Sequence, residues 1–374
     1  MQVDKRRLLV INWHDFTDPR SGGAEVHFHE IFKRLVLRGH SVTLLCCRYP
    51  GGASKEVIDG IQIYRHGSRP IFNFLVPRLY RQICRKQKFD LLIEDMNRLP
   101  FFSPVYAQSR VLVITHHLFG RSIFRQTAWP LAAYVYFLER AIPQVYSRCR
   151  FAAVSPSTRD ALVKYGIDSN RIQVIYNGID SHIYTFKPTS RVSFPLIVYV
   201  GRLKRYKNVE TLLFAIKRVA QQIPQVKLFI VGTGDDEPRL RQIASRLELW
   251  RTVEFKGYVS TEEKVKYYQQ AWICVNPSLI EGWGLTNLEA NACGTPVIAS
   301  NAPGLRDSVI DQVTGLFFER ENSNQLAQKI LWLLRNNSLR TQMKKNALNW
   351  AAQFDWERTS SEMEGFIDKV VRSR

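Results

Sequence analysis

Two hydrophobic patterns take turns along this chain. Short, nearly continuous apolar runs read as buried strands: LLVIN (8–12), SVTLLCC (41–47), IQIYRH (61–66), FDLLIED (89–95), VLVITH (111–116), FAAVS (151–155) and IQVIYN (172–177). Between the first two, AEVHFHEIFKRLVLRG (24–39) spaces its apolar positions as one helical face and stops at Gly39. The polar, proline-bearing FKPTSRVSFP (186–195) breaks the pattern and reads as a linker. The alternation then restarts, with strands at PLIVYVG (195–201), VKLFIVG (226–232), VEFKGYV (253–259), AWICVNP (271–277) and TPVIAS (295–300). Helices are expected at 208–223, 237–249 and 261–270, and the tail from about 322 onward is helical. Strand–helix alternation on both sides of a linker predicts an α/β protein of two parallel-sheet domains.

Length agrees, since 374 residues suffice for two domains with separate cores. The six cysteines show no C-x-x-C spacing and no clustering with histidines, so reduced, buried thiols are expected and a zinc site is not. The opening MQVDKRRLLVINW lacks the apolar core and cleavage site of a signal peptide. The charge-poor run QTAWPLAAYVYFL (126–138) falls short of the ~20 residues that span a bilayer. A cytoplasmic protein is expected.

Charge adds a second theme. With 53 Lys and Arg against 33 Asp and Glu, the net charge is +20, which suits nucleic acid, an anionic membrane or phosphorylated substrates. The window from Arg69 to Arg150 holds thirteen basic and four acidic residues amid many aromatics. Within it Phe72, Leu75, Leu79 and Ile83 recur at helical spacing, with Arg78, Arg81, Arg85 and Lys86 on other faces. Such a stretch is either a helix facing the core or one lying on anionic lipid. No nucleic-acid-binding signature occurs, so membrane contact is the expectation and nucleic acid is not.

Chemistry concentrates in NPSLIEGWGLTNLEANACGTPVIAS (276–300). Glu281 falls in a strand-to-helix loop with Gly282, Trp283 and Gly284, a helix starts near Leu285 or Thr286, and Glu289 lies in its first turns. Free N–H groups at that helix start suit a diphosphate. A carboxylate on either side can accept from hydroxyls at the two ends of one ligand, as a nucleotide-sugar would present them. Other positions fit the same ligand. Gly22 and Gly23 in SGGAE open a helix, and Arg202 and Lys207 in VGRLKRYKNVETLL offer two cations to a diphosphate leaving group. Taken singly, these are also what an ordinary turn, basic loop or glutamate pair looks like.

Together they resemble retaining nucleotide-sugar glycosyltransferases of the GT-B type, in the glycogen-synthase-like group called glycosyltransferase family four. EGWGL, the second Glu and GTPVIAS carry the likeness, with Thr286–Asn287 where proline is common and Cys293 where a small residue is usual. The resemblance implies a GT-B fold of two Rossmann-like domains facing a central cleft. Residues 1–187, with a crossover helix at about 354–374, would form the acceptor domain, and residues 192–351 the donor domain. It implies that Glu281 contacts the donor sugar, Glu289 the ribose, and Arg202 and Lys207 the diphosphate. His116, better aligned than His117, and the Gly22–Gly23 loop would complete the sugar site. Gly232 and Gly234 in VGTGDDEPRL would line the nucleotide base, while Asn177 and Gly178 in YNGID would shape the linker loop. No Asp or Glu partner for His116 can be named from sequence.

The expected activity is therefore retaining transfer of a hexosyl group from a nucleoside-diphosphate-sugar to a hydroxyl acceptor, in polysaccharide, glycolipid or lipid-linked glycan synthesis. No cofactor and no metal are expected, because no D-x-D clamp follows a strand and cations are at hand. Peripheral contact with the inner membrane face through 69–150 is expected. A phosphorylase, a sugar-nucleotide epimerase or a non-catalytic sugar- or lipid-binding relative are the alternatives.

Overall fold

The computed structural model describes residues 4–97, 99–125 and 127–373. Met1–Val3, Arg98, Gln126 and Arg374 fall in the expected N-terminal run, basic aromatic window and last helix, and lie outside the described residues. The chain divides into two compact units, Met1–Gly178 with Trp356–Arg374, and Ile179–Asp355.

Unit 1 is built on an eight-stranded sheet: β1 Arg7–Ile11, β2 Ser41–Cys46, β3 Lys55–Ile58, β4 Ile61–Arg65, β5 Leu91–Met96, β6 Arg110–Thr115, β7 Arg150–Ala153 and β8 Ile172–Val174. Its order is β3-β4-β2-β1-β5-β6-β7-β8, parallel except for the edge pair β3–β4. That pair is a hairpin turned by Asp59–Gly60, both at positive φ. Of the two, only β3 is absent from the expected strands, because KEVI is charged and mostly exposed. The helices are α1 Gly23–Leu37, α2 Phe72–Cys84, α3 Trp129–Arg140, the single turn α4 Ile142–Val145, and α5 Pro156–Tyr165. Alternation along β1 divides the core. Leu8 and Val10 join Phe28, Ile31, Phe32 and Leu35 of α1, while Leu9 and Ile11 join Phe72, Val76 and Tyr80 of α2.

Unit 2 carries a six-stranded parallel sheet, ordered β11-β10-β9-β12-β13-β14. Its strands are β9 Leu196–Val200, β10 Lys227–Val231, β11 Val253–Gly257, β12 Ile273–Asn276, β13 Val297–Ser300 and β14 Gly315–Phe318. The last was not expected. The helices are α6 Val209–Gln222, α7 Glu237–Arg246, α8 Thr261–Gln270, α9 Leu285–Ala292, the turn α10 Leu305–Ser308, α11 Ser323–Arg335 and α12 Asn337–Ala351. Ile197 and Tyr199 face α6, α7 and α11, while Leu196, Val198 and Val200 face α8 and α9.

The final helix, α13 Trp356–Arg372, packs on α1 in unit 1. Trp356, Met363, Phe366, Ile367 and Val370 enter the core there, and Arg38 pairs with Glu357 and Glu364 at 3.0 and 2.8 Å. The segment 186–195, expected as linker, lies inside unit 2. Arg191 bonds the Gly294 carbonyl at 3.0 Å, and Trp272 Nε1 donates to the Val192 carbonyl at 2.9 Å. The six cysteines are free and all but Cys84 are buried. Among the described residues no helix is long and apolar enough to cross a membrane.

Candidate active site

Each sheet reverses its strand order once, between β1 and β5 in unit 1 and between β9 and β12 in unit 2. Loops leaving the carboxyl ends of such strands diverge to opposite faces and open a crevice, where parallel α/β sheets bind ligands. The polar residues of interest lie at both reversals.

In unit 2 the loop after β9 carries Arg202 and Lys207, and the loop after β12 carries Glu281. Lys207 Nζ meets Glu281 Oε1 at 2.5 Å, both side chains only 15% exposed. The two loops are stitched by the Leu279 N–H to the Tyr206 carbonyl at 2.8 Å, and the Glu281 N–H donates to the Pro303 carbonyl at 3.1 Å. Burial works against the Lys207 charge, but the Glu281 carboxylate outweighs it and the ammonium titrates above its usual range. Arg202 is exposed, and near enough for its own charge to act on Lys207.

Gly284 caps α9 at φ +74, and a side chain there would strike Ser308. Leu285 and Thr286 form the first turn, whose N–H groups have no acceptor within the helix. Trp283 has its ring in the core, 2% exposed and edge-on to Phe354 at 5.2 Å. The ring is thus packed inside the unit, leaving the backbone of 282–284 to line the loop.

Glu289 projects from α9 into three donors. Tyr184 Oη and Lys264 Nζ reach Oε1 at 2.8 and 3.0 Å, and Tyr268 Oη reaches Oε2 at 2.9 Å. Burial and this carboxylate push both tyrosines well above the usual phenol range.

Gly232, at φ +126, and Gly234 follow β10 and lie against the neighbouring loop. A Cβ on Gly232 would run into the Gly201 carbonyl, and one on Gly234 into the Leu203 carbonyl. These glycines let the β10 loop lie on the β9 loop, where the Leu203 N–H donates to the Thr233 carbonyl at 2.9 Å. This packing role stands beside the expected one of making room for a base.

Unit 1 assembles a buried polar network at its reversal. His116, just after β6, bonds Asp95 Oδ1 through Nε2 at 2.8 Å, and Asn12 Nδ2 donates to Asp95 Oδ2 at 2.8 Å. Asn97 Nδ2 donates to Asn12 Oδ1 and to Glu25 Oε1, both at 3.0 Å. Gly22 caps α1 and Gly23 begins it, but the Gly22 N–H is taken by Glu25 Oε2 at 2.7 Å, which places a carboxylate where an anion was expected. His27 stands edge-on to His116, ring centres 5.0 Å apart. It is fully buried, and neither ring nitrogen has a hydrogen-bond partner among the described residues. Burial and the neighbouring His116 hold its pKa well below the ordinary value.

Nearby, His14, Asp18 and Cys47 bring a ring nitrogen, a carboxylate oxygen and a thiol within 4.8 Å of one another. Arg20 already bonds Asp18 through Nε and Nη2 at 2.9 and 2.8 Å, so the carboxylate has its counter-charge. This donor set fits an internal ion pair better than a metal.

Comparison with known proteins settles the family. Residues 21–182 match the family model for Glycosyltransferase Family 4, and residues 181–350 the model for Glycosyl transferases group 1. The chain belongs to the group 1 glycosyltransferases of family 4. The D-inositol 3-phosphate glycosyltransferase of Thermobifida fusca is 26% identical to this glycosyltransferase over 96% of this chain and 92% of its own length. Sucrose-phosphate synthase from Thermosynechococcus elongatus superposes with a TM-score of 0.84, at 23% identity, over 97% of this chain and 98% of its own. HepE of Anabaena, in complex with UDP-glucose, gives a TM-score of 0.80 at 20% identity, over 97% and 100%. The fold is GT-B.

The sequence reading of this glycosyltransferase missed Asn12, Glu25, Asp95, Asn97, Tyr184, Lys264 and Tyr268. The first, third and fourth had a signal: a polar residue at the end of a buried strand, as in LLVIN and LLIEDMN, is placed where ligands bind. Tyr184 and Lys264 had none, because 80 residues separate them and only the fold brings both to Glu289.

Proposed function

We propose that this glycosyltransferase moves a hexosyl group from a nucleoside-diphosphate-sugar to a hydroxyl acceptor, with retention at the anomeric carbon. The observation that carries the reading is the Lys207–Glu281 pair at the β9–β12 reversal. It sets a cation and a carboxylate, each only partly exposed, at one point beside a helix start. With donor bound, Lys207 and Arg202 take the diphosphate along with the first-turn N–H groups of α9. Glu281, released from Lys207, accepts from a sugar hydroxyl, and Glu289 accepts from the ribose. The bond from the anomeric carbon to the phosphate oxygen breaks, the acceptor oxygen attacks on the same face, and its proton passes to the departing phosphate. Negative charge grows on that phosphate in the transition state, so the two cations raise kcat and not affinity alone. Charge compensation by side chains makes a divalent metal dispensable.

Unit 1 would serve the acceptor and the sugar, with the Asp95–His116 couple as its fixed polar group. The UDP-glucose held by HepE supports a nucleoside-diphosphate hexose as donor. The acceptor we propose is membrane-presented or lipid-linked, with the protein at the inner membrane face. A thermal-shift screen against UDP, GDP, ADP and CMP, with and without EDTA, tests the donor half. Stabilisation by one nucleoside diphosphate, unchanged by EDTA, is expected. No shift with any nucleotide in a folded sample would turn the reading towards a phosphorylase or a non-catalytic relative.

A further inference from the structure

Unit 1 carries a surface that transfer chemistry at the strand ends does not use. Helix α3 turns Ala132, Val135 and Glu139 inward and leaves Leu131, Tyr134 and Phe137 exposed at three-residue spacing. Phe137 is 70% exposed, and Trp129 in the first turn 73%. Helix α2 adds Phe74, 69% exposed, with Ile71 just before it. Asn73 Nδ2 donates to the Tyr134 hydroxyl at 3.2 Å, which joins the two helices into one patch. Folded monomers rarely leave aromatic clusters of this kind in water without a use for them.

The charge around the patch has one sign. Beyond Phe74, exposed Arg78, Arg81 and Arg85 follow on the same face of α2, and Arg140 ends α3. Helix α2 has no acidic residue. The one acid of α3, Glu139, points inward and accepts from the Phe119 and Gly120 N–H groups at 2.7 and 2.8 Å and from Tyr165 Oη at 3.1 Å. Burying that carboxylate leaves the outer face of both helices apolar and cationic, with no carboxylate to repel an anionic sheet of charge.

We propose that this face of α2 and α3 docks on an anionic lipid bilayer. Phe74, Trp129 and Phe137 enter the boundary between headgroups and acyl chains, and Arg78, Arg81, Arg85 and Arg140 pair with lipid phosphates. Amphipathic rings favour that boundary, and a helix with arginines beside an aromatic stripe lies in its plane. Each arginine near an anionic surface strengthens partitioning about fivefold. The docking stands on this surface alone; its use in catalysis rests on the membrane-presented acceptor proposed above.

Vesicle flotation of the full chain tests it, with neutral vesicles and vesicles containing anionic lipid, at low and high salt. The expected result is binding to anionic vesicles only, lost at high salt. Binding should fall on the order of 25-fold in R78A/R81A and at least about tenfold in F74S/F137S. Both variants should keep the wild-type melting temperature and nucleotide-induced stabilisation. Equal binding to neutral and anionic vesicles, or undiminished binding by both variants, would overturn the proposal. So would variants that instead lose self-association or nucleic-acid binding. If vesicle binding behaves as expected but no lipid-linked acceptor is glycosylated, the docking holds and the acceptor reading fails.

Discussion

Replacing Lys264 by Met should tighten nucleoside-diphosphate binding. A carboxylate offers about four lone-pair sites. Tyr184 and Lys264 occupy Oε1 of Glu289 and Tyr268 occupies Oε2, which leaves one. A ribose diol brings two hydroxyls, so one existing donor must leave. Tyr268 is fully buried and Tyr184 is held at 2.8 Å, whereas Lys264 is 24% exposed and can turn its ammonium to water. Binding therefore sacrifices an ion pair worth about 1 kcal/mol, the upper end for a partly exposed pair. Methionine keeps the stem but removes the pair from the free protein. Binding should then gain that ~1 kcal/mol, about fivefold in Kd, while stability without ligand drops by a similar amount. Isothermal titration calorimetry of wild type and K264M with the preferred nucleotide reads the first, and urea unfolding the second. A weaker or unchanged Kd in K264M would refute the reasoning, by showing that Lys264 holds the ribose itself or that the ribose is not at Glu289.

Three further outcomes are expected. Asp95→Asn keeps the shape of the unit 1 network but reverses the donor facing His116, and should lower kcat by roughly 10–100-fold, as for a misaligned group, with little change in nucleotide Kd; steady-state kinetics and calorimetry separate the two. His27 stays neutral when folded but takes up a proton near its usual 6.5 when unfolded, so its contribution destabilises the fold as pH falls below that value, by up to about 1.4 kcal/mol per pH unit; H27L should flatten the loss of stability between pH 6.5 and 5 in urea titrations. Gly234→Ala forces a methyl group against the Leu203 carbonyl and should cost about 1–3 kcal/mol in unfolding free energy, with melting lowered even in the absence of nucleotide.

Much of the architecture was legible because buried parallel strands are continuous apolar runs that end on polar residues. The start of α9 at Leu285 and the loop position of Glu281 followed from ICV and LTNLEANA alone. The strands that escaped notice, β3 and β14, are four residues each and lie at sheet edges; β3 is charged and mostly exposed, while GLFF of β14 is buried but too short to stand out as a strand. The Asp59–Gly60 turn was a visible hairpin cue that went unused. The site was legible as positions and illegible as partnerships. Lys207 and Glu281 could be picked out separately, but not their ion pair. Asp95 could not be joined to His116, nor Lys264 to Glu289, since those contacts depend on strand order and register. Trp283, Gly232 and Gly234 also carry packing roles that the motif did not reveal, the ring in the core and the two glycines against backbone carbonyls.

Turnover of nucleotide-sugars by wild type and K207A is the most direct test of donor chemistry at the β9–β12 reversal. Release of nucleoside diphosphate from a panel of UDP-, GDP- and ADP-hexoses would be followed, with vesicles carrying lipid-linked acceptors and EDTA present. The account predicts that one donor is consumed, that the anomeric configuration is retained in the product, and that K207A lowers kcat roughly 10²–10³-fold while remaining folded. Wild-type turnover left intact in K207A, or a folded wild type that consumes none of these donors, would contradict it.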